Sequence, residues 1–176
     1  MSADVLATRL ADLREAFDRS FADPPRQEVA GYDDLLAIRV GIQRYALRLT
    51  ESAGLFQDRP VTRLPGPLPA LLGVAGFRGA VVPVYDLAAV FGQPAAGAPA
   101  RRWLVLVTGT PPVALAFDEL EGHLRVPHEQ IVEEATGHGP RGCLRGIVPL
   151  DGGARPIVDI AAVRAAIQSF AANGDR

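Results

Sequence analysis

The chain contains no lysine. All 18 of its basic residues are arginine, which excludes a lysine nucleophile, a Schiff base and a Walker-type phosphate loop, since each needs a lysine ammonium. Drift in base composition accounts for the missing lysine without any function, while the fixed charge and planar fork of arginine leave a selected use open. Only one cysteine, Cys143, is present, so no disulfide within the chain and no Cys-x-x-Cys motif can form, and a reducing compartment is expected. There is no basic excess either: the formal net charge is −2, which leaves little to hold a nucleic acid. No apolar run approaches the roughly 20 residues of a membrane span. Met1 to Ala11 carries Asp4 and Arg9 among isolated apolar residues, unlike the unbroken core of a secretion signal. A cytoplasmic protein with no nucleic-acid partner and no membrane insertion is expected.

What the sequence has in excess is glycine and proline. Its 18 Gly and 15 Pro among 176 residues compare with a background near 12% for the two together. Each costs about 1 to 3 kcal/mol inside a helix relative to alanine, so their spread argues against a helical bundle and for turn-rich β structure. With 48% hydrophobic and 22% charged residues the chain is too apolar to be disordered. Its length suits one domain or two small subdomains.

Leu6, Leu10, Leu13 and Phe17 recur at helical spacing from Ala3 to about Phe21, and Asp23-Pro24-Pro25 stops that helix. Its stripe needs a surface to bury against, either on the parent domain or on a partner. A polar linker follows, giving an N-terminal segment of 1–33. Leu36 to Val40 and Tyr45 to Leu49 alternate apolar with Ala or Arg around Gly41, predicting a half-buried hairpin with 36, 38, 40, 45, 47 and 49 on its core face. Leu72 to Val84 supplies two further strands around Gly76-Phe77-Arg78-Gly79. The low-complexity stretch from Gln93 to Ala100 is the expected boundary between subdomains of roughly 34–93 and 101–160, with a C-terminal helix over 160–170.

The second half repeats the first. At an offset of 68, Gly41, Leu47 and Gly54 fall on Gly109, Leu115 and Gly122. At an offset of 73, Gly73, Val74, Gly79, Pro83, Val84 and Asp86 fall on Gly146, Ile147, Gly152, Pro156, Ile157 and Asp159, and Leu87 to Val90 fall on Ile160 to Val163. Matched glycines and prolines at one offset indicate an internal duplication. About five short strands per unit with few helices predict two small antiparallel barrels, with a binding groove between them.

Chemistry-bearing residues point mostly to structure. Asp86 and Asp159, each followed by an apolar residue, two alanines and a valine, suit helix caps better than an acid–base pair. His123, His128 and His138, set among Glu119, Glu121, Glu129, Glu133 and Glu134, match no zinc spacing and read as a solvated acidic loop. No Gly-x-Ser-x-Gly motif occurs. Cys143 lacks a local base, and although Arg141 and Arg145 lie close enough in sequence to lower its pKa, a buried or incidental thiol is the expected reading. Arg78 stands apart, because its tight glycine-flanked turn forces a charged side chain outward. Its repeat partner is Asp151.

The segment Leu72-Gly73-Val74-Ala75-Gly76-Phe77-Arg78-Gly79-Ala80-Val81-Val82-Pro83-Val84-Tyr85-Asp86-Leu87 resembles the signature of CheW-like chemotaxis coupling proteins. Arg63-Leu64-Pro65-Gly66, the opening hairpin, and Pro156-Ile157-Val158-Asp159-Ile160 match as well, so the resemblance covers about Leu35 to Phe170. It implies a mainly β fold of two SH3-like five-stranded barrels with no enzymatic activity, no cofactor and no metal. The implied partners are a chemoreceptor cytoplasmic tip, lying in the groove between barrels, and the regulatory domain of a CheA-type histidine kinase, in membrane-anchored receptor arrays. The motif arginine and glycine become Arg78 and Gly79, with Phe77 beside them, and Leu49, Leu55 and Val105 are expected to line the groove. Two departures are visible. Gly76-Phe77 stands where the family usually has Asn-Leu, and Gly54 stands where a glutamate commonly faces the arginine, leaving Glu51 as the substitute if its register allows. Two other readings stay open: a divergent scaffold that has lost one interface and recruits a partner through Leu6, Leu10, Leu13 and Phe17, and a small metal-dependent hydrolase using the histidine segment.

Overall fold

The alternation around Gly41 does fold as a hairpin. In this computed structural model, which describes residues 31–65, 68, 70–93, 102–150 and 153–173, with backbone alone at 134–138 and 171–173, β1 (Tyr32–Val40) pairs antiparallel with β2 (Gln43–Arg48). The two-residue turn between them starts at Gly41 with φ +61°, which glycine adopts without steric cost. The expected N-terminal stripe and most of the 93–100 loop lie outside the described residues.

Further along the chain come β3 (Ser52–Gln57), β4 (Leu71–Phe77), β5 (Ala80–Asp86), α1 (Leu87–Val90), β6 (Trp103–Val107) and β7 (Val113–Phe117). They are followed by β8 (Glu119–Pro127), β9 (Val132–His138), β10 (Leu144–Leu150), β11 (Gly153–Val158) and α2 (Ile160–Asn173). The strands form a six-stranded sheet in the order β8-β1-β2-β11-β10-β9 and a five-stranded sheet in the order β3-β6-β7-β5-β4. The fold is mainly β, as the composition indicates.

The division at 93–101 is not how the sheets are built. The five-stranded sheet uses the continuous stretch from β3 to β7, whereas the six-stranded sheet takes the opening hairpin and everything from β8 on. The physical link is an exchange of hairpins. Ala46 on β2 pairs in parallel with Ile157 on β11, and its duplicate Ala114 on β7 pairs in parallel with Val84 on β5, the duplicate of Ile157. Each hairpin therefore completes the sheet founded by the other half.

Exchange also explains why the hairpins are buried on both faces. On β7, Ala114 and Ala116 face the interior of the five-stranded unit, while Val113, Leu115 and Phe117 face a central core shared with the opening hairpin and both helices. On the hairpin, Leu36, Ile38, Val40, Tyr45 and Leu47 join that central core, and Leu35 and Ala46 join a third cluster inside the six-stranded unit. The expected half-buried hairpin is thus a two-sided one, and Leu49 lies exposed beyond it. Successive strand residues alternate faces, so a run with apolar residues on both faces needs a core on each side.

The duplicated capping aspartates behave alike. Asp86 accepts from the Ala88 N–H and Asp159 from the Ala162 N–H, each at 3.0 Å, satisfying first-turn amides. The glycine that opens each tighter repeat block does the same work twice. A bulge falls between Leu71 and Gly73 on β4 and another between Leu144 and Gly146 on β10. At both, a Cβ would press on the backbone of a neighbouring segment, Thr62 in one case and Val132 in the other.

Candidate interaction site

Arg78 and Gly79 are the two central residues of the β4–β5 turn, with φ +48° and +84°. Positive φ at both positions is the hairpin geometry that asparagine and glycine favour, and for arginine it costs about 1 kcal/mol. Arg78 is exposed and makes no side-chain hydrogen bond or ion pair among the described residues. Among the described residues two other non-glycine residues have positive φ, Asp58 and Arg141, and each is held: Asp58 by Arg102 through two 3.1 Å hydrogen bonds, Arg141 over the Phe170 ring at 4.9 Å.

Phe77 faces inward. It is 2% exposed and meets Phe56 edge-on at 4.8 Å, so it supports the turn and offers no contact surface. Val105 is likewise corrected. It sits in the central core beneath its cross-strand partner Leu55, on a strand flanked by β3 and β7. Leu55 is half-buried, and Leu49 is exposed in the short turn joining β2 to β3. Of the expected contact residues, Arg78, Gly79, Leu49 and Leu55 reach the surface.

Glu51 does not substitute for the glutamate missing at Gly54. Its carboxylate pairs with Arg145 of β10 at 3.1 Å, and its carbonyl accepts from the Thr108 N–H at 2.9 Å. Position 54 is occupied by other means, because a Cβ there would meet the Phe56 ring at 2.9 Å. A residue that sequence reasoning missed completes this end of the sheet: Arg59. Its guanidinium lies over Phe56 and Phe77 at 5.3 and 5.2 Å, and its Nε donates to the Gly76 carbonyl at 2.8 Å. Nothing in the local sequence marks it, since its partners come from β3 and β4.

At the junction of the two sheets, Arg48 reaches Asp33 at 3.5 Å and also pairs with Glu133. Burial pushes the Glu51 carboxyl above its ordinary value, against the opposing pull of Arg145 and Arg48 and with a smaller upward push from Asp159. One Glu51 oxygen, Oε2, is buried without a hydrogen-bond partner, which is where the desolvation arises. A raised carboxylate pKa means that this group adds most stability below its unfolded value and loses it as pH rises through the folded one. The stability of the wild type relative to Glu51→Gln is therefore expected to increase as pH falls from neutrality into the carboxylate range. Urea midpoints of both proteins across that range check the sign.

The histidine segment is mostly strand: His123 lies on β8 and His138 on β9, with His128 in the short turn between them. Glu119, Glu121 and His123 lie on β8, where Glu121 pairs with Arg155 at 2.5 Å and with Arg44 at 3.3 Å, and Glu119 with Arg39. His123 faces Asp34 at 2.9 Å, and His128 lies 3.5 Å from Asp33. Among the described residues no three His, Cys, Asp or Glu side chains gather where they could hold a metal. Cys143 is fully buried, the expected reading for this thiol, and burial pushes its pKa up despite Arg141.

These features describe a binding module, a β framework presenting a strained, exposed arginine turn. The CheW-like domain family matches residues 34–168, and the chain belongs to that family. It is 29% identical over 145 residues to a probable chemotaxis protein CheW of Rhizobium etli, covering 81% of this chain and 94% of that protein. It is also 29% identical over 126 residues to the chemotaxis protein CheW of Rhizobium meliloti, covering 69% and 81%. The crystal structure of the scaffolding protein TtCheW from Thermoanaerobacter tengcongensis has the same fold, with TM-score 0.66 at 18% identity over 73% of this chain and 89% of that one. The chain is a chemotaxis coupling adaptor of the CheW type.

Proposed function

We propose that the protein links the cytoplasmic tip of a chemoreceptor to the regulatory domain of a CheA-type histidine kinase, without catalysing a reaction itself, at membrane-anchored receptor arrays. The observation that carries this reading is Arg78. A cation held at φ +48° with no intramolecular partner among the described residues spends conformational energy that the fold does not recover, and such strain gathers at recognition sites. It falls within the segment that carries the family resemblance. Leu49 and Leu55, at the junction of the sheets, supply the apolar contacts for a receptor helix, the mode in which an amphipathic helix lies along a groove. Among the described residues no helix is long and apolar enough to cross a membrane.

Co-sedimentation of the full chain with receptor-bearing membranes and the kinase of the same bacterium tests this reading. Binding to both is expected, and binding to neither at low salt overturns it. Arg78→Gly separates function from fold: glycine relieves the positive φ, so stability is expected to rise by about 1 kcal/mol, while kinase or receptor binding falls. Urea midpoints and the same sedimentation assay read the two effects side by side.

A further inference from the structure

The arginines of the described residues differ in what holds them. Arg39, Arg44, Arg48, Arg145 and Arg155, in the six-stranded unit, each meet a carboxylate. Arg102 meets Asp58, and Arg164 is turned onto the Pro111 carbonyl at 2.7 Å. Arg59, Arg63 and Arg78 are exposed and meet no carboxylate among the described residues.

All three border β4. Arg63 follows Thr62, whose N–H and carbonyl pair with Val74 at 2.8 and 2.9 Å. Arg59 is anchored on the Gly76 carbonyl, and Arg78 begins the turn two residues later. At about 3.3 Å per strand residue, the three attachment points spread over roughly 13 Å of one strand edge. Arg59 is already ordered by its two rings and its carbonyl, and two of its five N–H donors suffice for that anchor, so the rest stay available. Two exposed apolar side chains lie close to these positions along the chain: Val81, the cross-strand partner of Gly76, at 73% exposure, and Leu64, next to Arg63, at 46%.

We propose that Arg59, Arg63 and Arg78 form one strip that receives an acidic surface of a protein partner, with Val81 and Leu64 against the apolar part of that surface. The proposal rests on the adaptor reading and adds the chemistry the partner must present: aspartate or glutamate carboxylates spaced along a face that also carries apolar groups. Guanidinium forks match carboxylates in paired hydrogen bonds, and apolar contacts within a charged rim are the usual anatomy of a protein interface. An anionic lipid surface is the poorer match, because recognition of that kind uses clusters of about four to eight basic residues.

The test is titration of the full chain with the full-length CheA-type kinase and with receptor-bearing membranes of the same bacterium. Wild type is compared with Arg63→Gln/Arg78→Gln and Arg63→Glu/Arg78→Glu, whose side chains are exposed and anchor nothing. The glutamine pair is expected to weaken binding to one of the two partners by about tenfold at low salt, the glutamate pair by more, with both differences shrinking as salt rises. Arg59→Gln, checked for folding by its urea midpoint, is expected to weaken the same partner. Equal binding by wild type and both pairs overturns the strip and the role given to Arg78, while wild-type binding to kinase and receptor leaves the coupling itself standing. Binding of wild type to phosphatidylglycerol vesicles that both pairs abolish, with kinase and receptor binding unchanged, also overturns it and assigns the surface to lipid. If wild type binds neither kinase nor receptor, the adaptor reading falls and the strip falls with it.

Discussion

Gly73→Ala is expected to be the most damaging single methyl group that can be added to the five-stranded sheet. An added Cβ would stand 2.0 Å from the Thr62 carbonyl oxygen and 2.9 Å from the Arg63 Cα, all backbone, at a residue whose φ is +146°. Neither obstacle can swing aside as a side chain can, and the φ is one that alanine rarely takes. Strain and overpacking together are expected to cost about 3 kcal/mol or more, a large part of the roughly 5 to 15 kcal/mol that holds a domain together. The Thr62–Val74 bridge should open and displace Arg63, so partner binding should fall along with stability. Gly76→Ala is the control. It lies on the same strand with nothing within 4 Å of the added Cβ, and should shift stability by less than about 0.5 kcal/mol. Gly146→Ala, whose Cβ would stand 2.9 Å from the Val132 oxygen, should fall between them. Urea midpoints for the three variants give the order directly, and a Gly73→Ala midpoint near wild type would refute the close approach.

Phe77→Ala is expected to cost about 3 to 5 kcal/mol, the usual range for removing a buried aromatic ring. The loss comes from the interior of the five-stranded unit, where Phe77 packs with Val82, Val84 and Leu104. It also strips Arg59 of one of its two supporting rings. Phe77→Leu restores the residue type that the resembled family usually carries there and should cost less than about 1.5 kcal/mol. If the alanine variant loses kinase or receptor binding only in proportion to the unfolded fraction, measured by circular dichroism, Phe77 is purely a core residue, as its burial implies.

The duplication was legible because glycine and proline are geometric commitments. Gly73 and Gly146 repeat since both sit at a bulge where another backbone presses close, and Asp86 and Asp159 repeat since both cap a helix. Arg78 was legible for a similar reason: a charged residue inside a glycine-flanked turn has nowhere to go but out. Phe77 and Val105 were misread because an apolar residue next to a motif, or on an alternating strand, looks the same from the sequence whether it faces a groove or a core. Arg59 was invisible because its significance lies in a carbonyl 17 positions away and two rings from different strands.

The chain by itself determined the local vocabulary. Its alternating apolar runs, turn glycines, capping aspartates and repeated blocks mark the hairpins, where they turn and that the unit is doubled, because these depend on backbone sterics and nearest-neighbour periodicity, whereas the charged strands β8 and β9 read as loop. Its signature segment determined the family as well. Only the tertiary structure decided which hairpin completes which sheet, since parallel pairing of β2 with β11 and of β5 with β7 joins residues far apart in the chain, and the gain comes from filling a shared core that no local pattern encodes. The same holds for charge. Arginine is uniform along the sequence, and only packing sorted those neutralised by carboxylates from Arg59, Arg63 and Arg78 along β4.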